Sequence, residues 1–429
     1  MTAWEESRRR RGERAFRALW VGQSVSQLGS QISLVVLPLI AAVTLRASPF
    51  EVGLLAALET APYLFASLPA GMLADRMERR RLLVLTDIGR ACCLMVVPLA
   101  YFAGVLSVPV LLVVALVSGT MSVVFDVAYH SYVPLLVPAG ELVEANRRLE
   151  LSSAGAAVAG PPLAGVVMAR IGGPFAVLID VASYLVSAAA VLRSPRFRRP
   201  MARPAEAAGM FERMLSGMRH VRGDRVMRDL ALSTATFNLA SSSIFAVLVV
   251  FATRDVGLGP AGFGLLFGLG NVGFLVGAAI VGRLTARVGS GQALFLGSWL
   301  GALAMILLPM ASGPLAAGAL FLGRFTGATA AAIFNVNAYA VRQARVPDSI
   351  LGRVNASFRL LDWGTLPIGA LLGGFIGSVA GVRWALLVAA VLGLGSMLWL
   401  VRSPVRRLGA RGVEAPIAGG LVSGSPAVD

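Results

Sequence analysis

The fold is decided by a run of 28 residues without a charge, ALWVGQSVSQLGSQISLVVLPLIAAVTL, which occupies positions 18–45 between Arg17 and Arg46. An α-helix needs about 20 predominantly apolar residues to cross the hydrocarbon core of a bilayer. Further charge-free windows follow at residues 91–125, 230–253, 256–282 and 288–323. The quoted stretch therefore predicts the first of many membrane-spanning helices.

The composition of the 429-residue chain agrees with that prediction. Hydrophobic residues make up 57% of the chain and charged residues 14%, whereas a soluble domain carries about 25% charged residues. We predict an all-α membrane protein with twelve transmembrane helices, numbered here as spans 1 to 12 in chain order. They are expected to begin near residues 18, 50, 82, 109, 147, 174, 229, 258, 292, 315, 355 and 383.

Charged and reactive side chains exclude several kinds of chemistry. All 38 basic residues are Arg, so the chain lacks the Lys of a Walker A phosphate loop or a Schiff base. It has two His and two Cys, and the adjacent Cys92 and Cys93 fit core packing rather than a metal site. We expect no enzymatic site, no cofactor and no metal. The net charge of +16 is attributed to cytoplasmic loops and not to nucleic-acid binding.

The distribution of Arg predicts how the chain sits in the membrane. The loops on one side carry only Arg46, Arg170, Arg254 and Arg383. On the other side, six Arg lie within residues 8–17 and ten within residues 193–228. Because Arg accumulates in cytoplasmic loops, we expect both termini in the cytoplasm and the protein in the inner membrane of a bacterial cell.

The same pattern divides the chain into segments. We predict a basic cytoplasmic tail (residues 1–17), a six-helix bundle (18–192), a cytoplasmic central loop (193–228), a second six-helix bundle (229–402) and a cytoplasmic C-terminal tail (403–429). Within the central loop, Met210–Val221 is either an amphipathic helix on the inner membrane surface or part of a solvated linker.

An internal repeat relates the two bundles. Phe125-Asp126, Val137-Pro138, Asn146, Gly160 and Gly165 recur as Phe334-Asn335, Val346-Pro347, Asn355, Gly369 and Gly374 at an offset of 209. Gly71, Leu73 and Arg76 recur as Gly282, Leu284 and Arg287 at an offset of 211. The repeat predicts two pseudo-symmetric bundles with a central cavity between them.

The loop after span 2 carries a motif, Gly71-Met-Leu-Ala-Asp75-Arg76-Met-Glu78-Arg79-Arg80. It resembles the signature G-x-L-x-D-R-x-G-R-R of the major facilitator superfamily, with Glu78 in place of the second Gly. The resemblance implies the major facilitator fold. It also implies that Gly71, Asp75, Arg76, Arg79 and Arg80 form a cytoplasmic latch against the start of span 11. Alternatively, these Arg only anchor a helix end to anionic lipid.

Span 5 contains Gly155, Gly160, Pro161 and Gly165. The segment resembles the G-P-x-x-G-G element of the drug:proton antiporter branch, with Ala164 in place of one Gly. The alternative is an ordinary packing face of small residues. Phe16–Trp20 with Ser26–Gly29, Glu141–Asn146 and Gly217–Arg222 resemble macrolide-efflux proteins and enterobactin-type exporters. Ser30 replaces the acidic residue that many members carry after the Leu-Gly of span 1.

Ionisable residues inside spans are expensive and therefore point to function. The candidates for a proton or substrate site are Glu59, Asp126, Asp180, Arg324 and Asp362. Glu59 is the first choice for the proton or a cationic substrate, and Asp180 has an equal claim to a structural role. Arg324 either pairs with an acid across the cavity or holds an anionic substrate.

Two further charge pairs are predicted from i,i+3 spacing. Arg359 is expected to pair with Asp362, and Asp87 with Arg90 as a structural pair at the inner end of span 3. Polar and aromatic residues of the spans are carried as cavity candidates, although each is more often an interhelical contact. They are Gln23, Gln27, Tyr63, Asn238, Asn271, Asn335, Asn337 and Trp363.

Together these features predict a secondary active transporter that works by alternating access. We expect a monomeric, proton-coupled exporter of small hydrophobic or amphiphilic molecules such as drugs, antibiotics or siderophore-like metabolites. The alternatives are an uptake permease of the same fold and a non-transporting membrane scaffold.

Overall fold

The computed structural model describes residues 3–194 and 217–407, which form helices joined by short turns and contain no β-strand. Within these two ranges, eleven helices are long and apolar enough to cross a membrane, and a bent pair of helices brings the number to twelve. The prediction of an all-α membrane protein is therefore confirmed. The spans of the first half are Gly12–Thr44, the bent pair Pro49–Phe65 and Pro69–Arg76, Arg79–Phe102, Val108–Leu136, Leu142–Ile171 and Gly173–Arg193. Those of the second half are Arg225–Asp255, Pro260–Val288, Ser290–Leu307, Gly313–Arg345, Ser349–Val379 and Val382–Val401.

Span 2 is the broken one. Its two parts meet at an angle of 59°, and Pro62 and Pro69 lie on either side of the break. Because a proline ring has no N–H and clashes with the preceding turn, it interrupts the helical hydrogen bonds. The last segment, Ser67–Arg76, packs on span 4 and carries the predicted latch residues to the end of the bundle.

The helix ends repeat as the sequence repeat predicts. Spans 1 and 7 both end in a five-residue π-helix, Ile40–Thr44 and Phe251–Asp255, 211 positions apart. The turns that follow contain a residue in the left-handed region at the same offset, Arg46 with φ 52° and Gly257 with φ 76°. A glycine adopts this conformation without strain, and a residue with a Cβ does not. The two bundles are therefore built on the same backbone plan.

Two segments differ from the expected boundaries. The helix of span 1 begins at Ala3, so most of the predicted tail is part of this helix. Residues 3–17 contain no proline that would interrupt it. Residues 217–223 are helical, which covers only the end of the predicted amphipathic helix Met210–Val221. The rest of that helix and the C-terminal tail beyond residue 407 lie outside the described residues. The segment boundaries and their assignment to the cytoplasm stay predictions.

The two halves meet along two pairs of spans. Span 2 packs against span 11, and span 5 packs against span 8. Most other contacts lie within one half, for example between spans 1 and 6 and between spans 8 and 10. This arrangement leaves a space between the halves that is bordered by spans 1, 5, 7, 8, 9 and 10.

Candidate functional site

Small residues close one end of the contact between the halves. We call the end of the helix bundles that carries Ala3 and Arg407 the terminal end, and we call the other end of the bundles the opposite end. Near the opposite end, a Cβ atom on Gly53 would lie 2.5 Å from the carbonyl oxygen of Ala370 and 2.9 Å from Gly374 Cα. A Cβ on Gly165 would lie 3.1 Å from Gly264 Cα. In the pairs Gly53–Gly374 and Gly165–Gly264 the two backbones touch, because neither glycine has a side chain.

Hydrogen bonds reinforce this closure. Arg254, at the end of span 7, donates to the carbonyl oxygens of Ala42 at 2.8 Å and Ala47 at 2.7 Å. The Phe50 N–H donates to the Ser378 hydroxyl at 2.8 Å. These bonds join the turn after span 1 to span 7, and the start of span 2 to the end of span 11. The opposite end is therefore shut by both packing and polar contacts.

The predicted latch lies at the terminal end and is not engaged. Asp75 and Arg76 are exposed, and neither has an ion pair or side-chain hydrogen bond to another described residue. A Cβ on Gly71 would meet nothing within 4 Å, so the expected close helix contact is absent in this conformation. Arg79 donates to the Ser131 hydroxyl at 2.9 Å, and Arg80 donates to the carbonyl oxygens of Val191 and Leu192. Arg79 and Arg80 thus form these hydrogen bonds within the N-terminal half.

Other polar contacts at the terminal end stay within one half. The Asp224 carboxylate caps span 7 by accepting hydrogen bonds from the N–H groups of Val226 and Met227, and it pairs with Arg345 at 2.9 Å. Burial opposes its ionisation, but these donors hold the pKa of the Asp224 carboxyl below its usual range. Among the described residues, these contacts hold helices of the C-terminal half together at this end.

A central cavity of about 540 Å³ lies between the halves. Pockets that hold drug-sized ligands have volumes of about 300–1,000 Å³. Its aromatic and polar lining comprises Gln31, Glu150, Ser153, Phe237, Ser241, Phe245, Phe267, Asn271, Phe274 and Arg324. The predicted residues Asn271 and Arg324 are thus part of the lining, together with Pro161 of the span 5 motif.

Arg324 is the cation of this cavity. Its guanidinium carbon lies 4.5 Å from the centre of the Phe267 ring, a cation–π contact. Its Nε atom is buried without a hydrogen-bond partner. No acidic side chain of the described residues pairs with it, so the predicted acid across the cavity is absent from this conformation. The arrangement leaves a forked hydrogen-bond donor next to the open space.

A second polar cluster lies inside the N-terminal half. Arg90 forms an ion pair with Asp87, as the spacing predicts. Its guanidinium carbon lies 4.2 Å from the centres of both the Phe125 and Tyr184 rings. The Tyr184 hydroxyl lies 3.0 Å from the Ser30 hydroxyl. The residue that replaces the family's acidic group in span 1 is therefore tied to this cluster.

Asp180 is fully buried beside the same cluster. One carboxylate oxygen accepts a hydrogen bond from the Ser183 hydroxyl at 2.9 Å, and a Cβ on Gly29 would lie 2.6 Å from that oxygen. The Glu59 side chain is half-buried in span 2 and is close enough to interact electrostatically with Asp180. These two carboxyl groups thus belong to one region of the N-terminal half.

Asp126 links this half to span 11. Its carboxylate accepts a hydrogen bond of 2.7 Å from the Tyr63 hydroxyl. The Tyr63 ring in turn lies against Trp363, with ring centres 3.7 Å apart. A charged group of span 4, a ring beside the break of span 2 and a ring of span 11 therefore form one connected series across the two halves.

The expected pair of Arg359 with Asp362 is wrong. Asp362 instead accepts a contact of 3.4 Å from the Asn238 side-chain amide of span 7, while Arg359 is exposed and interacts electrostatically with Asp126 of the other half. The i,i+3 spacing permits a pair on an isolated helix, but neighbouring helices offer both side chains other partners. Asp362 also lies near the buried Arg342.

Of the remaining cavity candidates, two form hydrogen bonds between spans and three lie away from the central cavity. Asn271 donates to the Ala157 carbonyl oxygen at 2.6 Å and so joins span 8 to span 5. Asn337 accepts from the Thr285 hydroxyl at 2.9 Å and is a contact between spans 8 and 10. Gln23 is buried in span 1, Gln27 is half-buried and Asn335 is exposed, and none of these three lines the central cavity.

The glycines of the span 5 motif also differ in their surroundings. A Cβ on Gly160 would lie 2.5 Å from Gln31 Cβ, whereas Gly155 has nothing within 4 Å. Sequence reasoning missed Gln31 and the four phenylalanines of the cavity. Their spacing in spans 7 and 8, such as Phe267 and Phe274 seven apart, indicated only a shared helix face. Nothing in the sequence identified which face lines the cavity.

Comparisons with known proteins agree with this architecture. The family model described as transmembrane secretion effector, one of the major facilitator models, matches residues 11–417. The enterobactin exporter EntS of Salmonella choleraesuis is 24% identical over 406 residues, 92% of this chain and 93% of that protein. The multidrug efflux pump Tap of Mycolicibacterium fortuitum is 27% identical over 358 residues, 78% of this chain and 83% of that protein.

Solved structures share the fold. A bacterial homologue of the iron transporter ferroportin, in its inward-facing state, superposes with a TM-score of 0.74 at 18% identity, covering 91% of this chain and 98% of that one. The family match covers nearly the whole chain, including both bundles and the contact between them. The chain belongs to the transmembrane secretion effector family of the major facilitator superfamily and is a multi-pass membrane transporter of small molecules, not an enzyme.

Proposed function

We propose that this transporter is a proton-coupled exporter of small hydrophobic or amphiphilic molecules, such as drugs, antibiotics or siderophore-like metabolites, and that it works by alternating access. The observation that carries the proposal is the central cavity between two halves that touch at the opposite end and leave the latch residues Asp75 and Arg76 unpaired at the other. Such an arrangement suits rocking of one bundle against the other around a fixed site.

The direction of transport is proposed from two lines of support. EntS and Tap, both similar over most of this chain, are named as an exporter and an efflux pump. The small residues of span 5 that resemble the antiporter element lie at the crossing with span 8, where Gly165 contacts Gly264. If the protein lies in the inner membrane with both termini in the cytoplasm, the cavity in this conformation opens toward the cytoplasm. An exporter binds its substrate from that side.

Proton coupling is proposed to use a carboxyl group of the N-terminal half. Glu59 remains the first choice, because it is half-buried in span 2 and, unlike Asp126 and Asp180, it accepts no hydrogen bond from a hydroxyl of the described residues. A carboxyl group without fixed donors can exchange a proton when the helix break beside it changes angle. Asp126 is the second choice, since its bond to Tyr63 reaches the contact between spans 2 and 11.

The test uses inside-out membrane vesicles whose lumen is acidified by ATP-driven proton pumping, with two fluorescent probes, the cationic ethidium and the anionic 2-naphthoate. Vesicles that contain the chain should accumulate at least one of the two probes, and a protonophore should abolish the accumulation. Glu59→Gln should abolish it as well, while Glu144→Gln, which removes an exposed carboxylate at the start of span 5, should not.

The outcomes separate the alternatives. Accumulation in right-side-out vesicles instead would indicate an uptake permease. If the chain inserts normally but moves no compound from a panel of drugs and siderophores in either direction, it is a non-transporting scaffold. Full proton-driven accumulation by Glu59→Gln would exclude Glu59 as the coupling residue and leave Asp126 to be tested.

A further inference from the structure

Arg324 lies in the half of span 10 nearer the opposite end and is part of the wall of the cavity. Gly270 of span 8 lies behind it, where a Cβ would be 3.1 Å from Arg324 Cβ. The Phe267 ring covers one face of the guanidinium, and Phe263 and Phe245 hold that ring, with ring centres 4.8 and 5.6 Å away. The side chain is therefore packed against span 8 and is part of the lining of the cavity.

Arg324 is half-buried, and the two buried arginines of the described chain do not share its surroundings. Arg90 has the Asp87 carboxylate and two aromatic rings. Arg342 donates to the Ala338 carbonyl oxygen, lies over two aromatic rings and is near Asp362. Arg324 has one ring and an Nε atom without an acceptor. A cation buried without a counter-ion is unfavourable unless a ligand supplies one.

The rest of the lining defines what the ligand must be. Phe237, Phe245, Phe267 and Phe274 line a space of about 540 Å³. The side-chain amide of Asn271 is occupied by the Ala157 carbonyl oxygen. Glu150, the acidic residue of the lining, is exposed on span 5 and does not act electrostatically on Arg324. The cavity thus offers one forked cationic donor within aromatic surroundings.

We propose that the central cavity selects aromatic organic anions, with a carboxylate or similar planar anionic group bound by Arg324 and the ring system packed among the four phenylalanines. The guanidinium fork matches a carboxylate with two parallel hydrogen bonds. The proposal deepens the proposed function by naming the substrate class, and it rests on the central cavity being the transport site.

The test measures equilibrium binding to the purified full-length chain in detergent by calorimetry. Three probes of nearly equal shape differ in charge: 2-naphthoate, the neutral 2-naphthamide and the cationic 2-naphthylmethylammonium. The native chain should bind naphthoate at least about tenfold more tightly than naphthamide, and the ammonium most weakly. Arg324→Gln should remove the preference for naphthoate without weakening naphthamide. Arg324→Lys should retain part of it, because Lys keeps the charge but loses the fork.

Two control variants distinguish this role from a structural one. Phe267→Leu should weaken all three probes by a similar factor, since it removes ring contact. Arg287→Gln, at the terminal end of span 8, should leave all three unchanged. Unchanged binding of naphthamide to Arg324→Gln shows that this variant is folded.

The proposal is overturned if naphthoate fails to bind more tightly than naphthamide, if the ammonium binds most tightly, or if Arg324→Gln keeps the preference for the anion. Because the measurement needs no membrane and no proton gradient, it is independent of the vesicle experiment. Selective anion binding without ethidium or naphthoate export would overturn the proposed export and not the substrate class.

Discussion

The two ends of the contact between the halves use the same kind of residue in opposite ways. At the opposite end, the glycines at 53, 165, 264 and 374 all face backbone of the other half at distances that exclude a Cβ. At the terminal end, Gly71 and its repeat partner Gly282 face open space. The comparison shows that the residues needed for close approach exist at both ends, and that only one end uses them in this conformation.

The charged residues follow the same division. Arg254 joins the halves at the opposite end through two carbonyl oxygens, while Asp75 and Arg76 are exposed and have no side-chain partner among the described residues at the terminal end. Hydrogen bonds to a charged donor contribute about 1.5–3 kcal/mol each when they are buried. A transporter that alternates must replace one set of such contacts by a set of similar strength, which is what the latch residues would supply.

The strongest way to break the comparison is to prevent closure of the opposite end. Gly264→Leu puts a side chain where a Cβ would already lie 3.0 Å from Gly165 Cα. Because the helices cannot separate locally without opening the end, we expect vesicle transport to fall by more than about tenfold with normal membrane insertion. Spin labels at positions 50 and 378, in a cysteine-free background, should report a longer distance.

The matched control is Gly318→Leu. Gly318 is exposed near the same end of span 10 and has nothing within 4 Å of its Cβ position. This variant should transport normally. Native transport by Gly264→Leu would show that the glycine contact is not needed in the cycle.

The second prediction tests the open end. Asp75→Asn should abolish transport, because the variant cannot form the charged latch that closes the terminal end. Since Asp75 is exposed and unpaired in this conformation, the free energy of unfolding should change by no more than about 0.5 kcal/mol. Thermal unfolding in detergent and vesicle transport are measured on the same preparations.

Asp255→Asn serves as the control, since Asp255 is exposed at the opposite end. It should retain transport. If Asp75→Asn transports normally, the residues of this loop act on lipid or on helix packing and not as a latch.

The smallest effect is expected for Arg254→Gln. The change removes two hydrogen bonds that span the closed end, so the ratio of closed to open molecules should fall by about tenfold, equivalent to about 1.4 kcal/mol. The same pair of spin labels measures that population. Transport should be slowed rather than lost, because the glycine contacts remain.

Arg383→Gln provides the comparison for this change. Arg383 donates to the Ala311 carbonyl oxygen within its own half and at the same end. Its loss should leave the distribution of distances as in the native chain. An equal response of both variants would mean that Arg254 acts on the stability of its half and not on closure.

Particular residues show how far the sequence could go. The charge-free windows located the spans to within a few residues, because the bilayer requires a fixed length of apolar helix. The Asp87–Arg90 pair was also predictable, since both partners lie on one helix. The Arg359–Asp362 pair was predicted by the same rule and is wrong, because Asn238 and Asp126 on other helices compete for the two side chains.

The candidate site was less accessible to sequence reasoning. Arg324 was identified because a charge inside a span is rare. Its lack of an acidic partner depends on which faces of spans 5, 7 and 8 surround it. The phenylalanines of the cavity were missed, since an apolar side chain that faces the cavity and one that faces lipid have the same pattern in a membrane helix.

The sequence by itself determined that the chain crosses the membrane many times, that its halves repeat and which charges lie inside the spans. These properties follow from composition and spacing along the chain, because the bilayer acts on each helix separately. Only the tertiary structure decided which end is closed, which arginine is left without a counter-ion and which rings accompany it. Those properties depend on the rotation and approach of helices that are distant in sequence, and local spacing does not encode them.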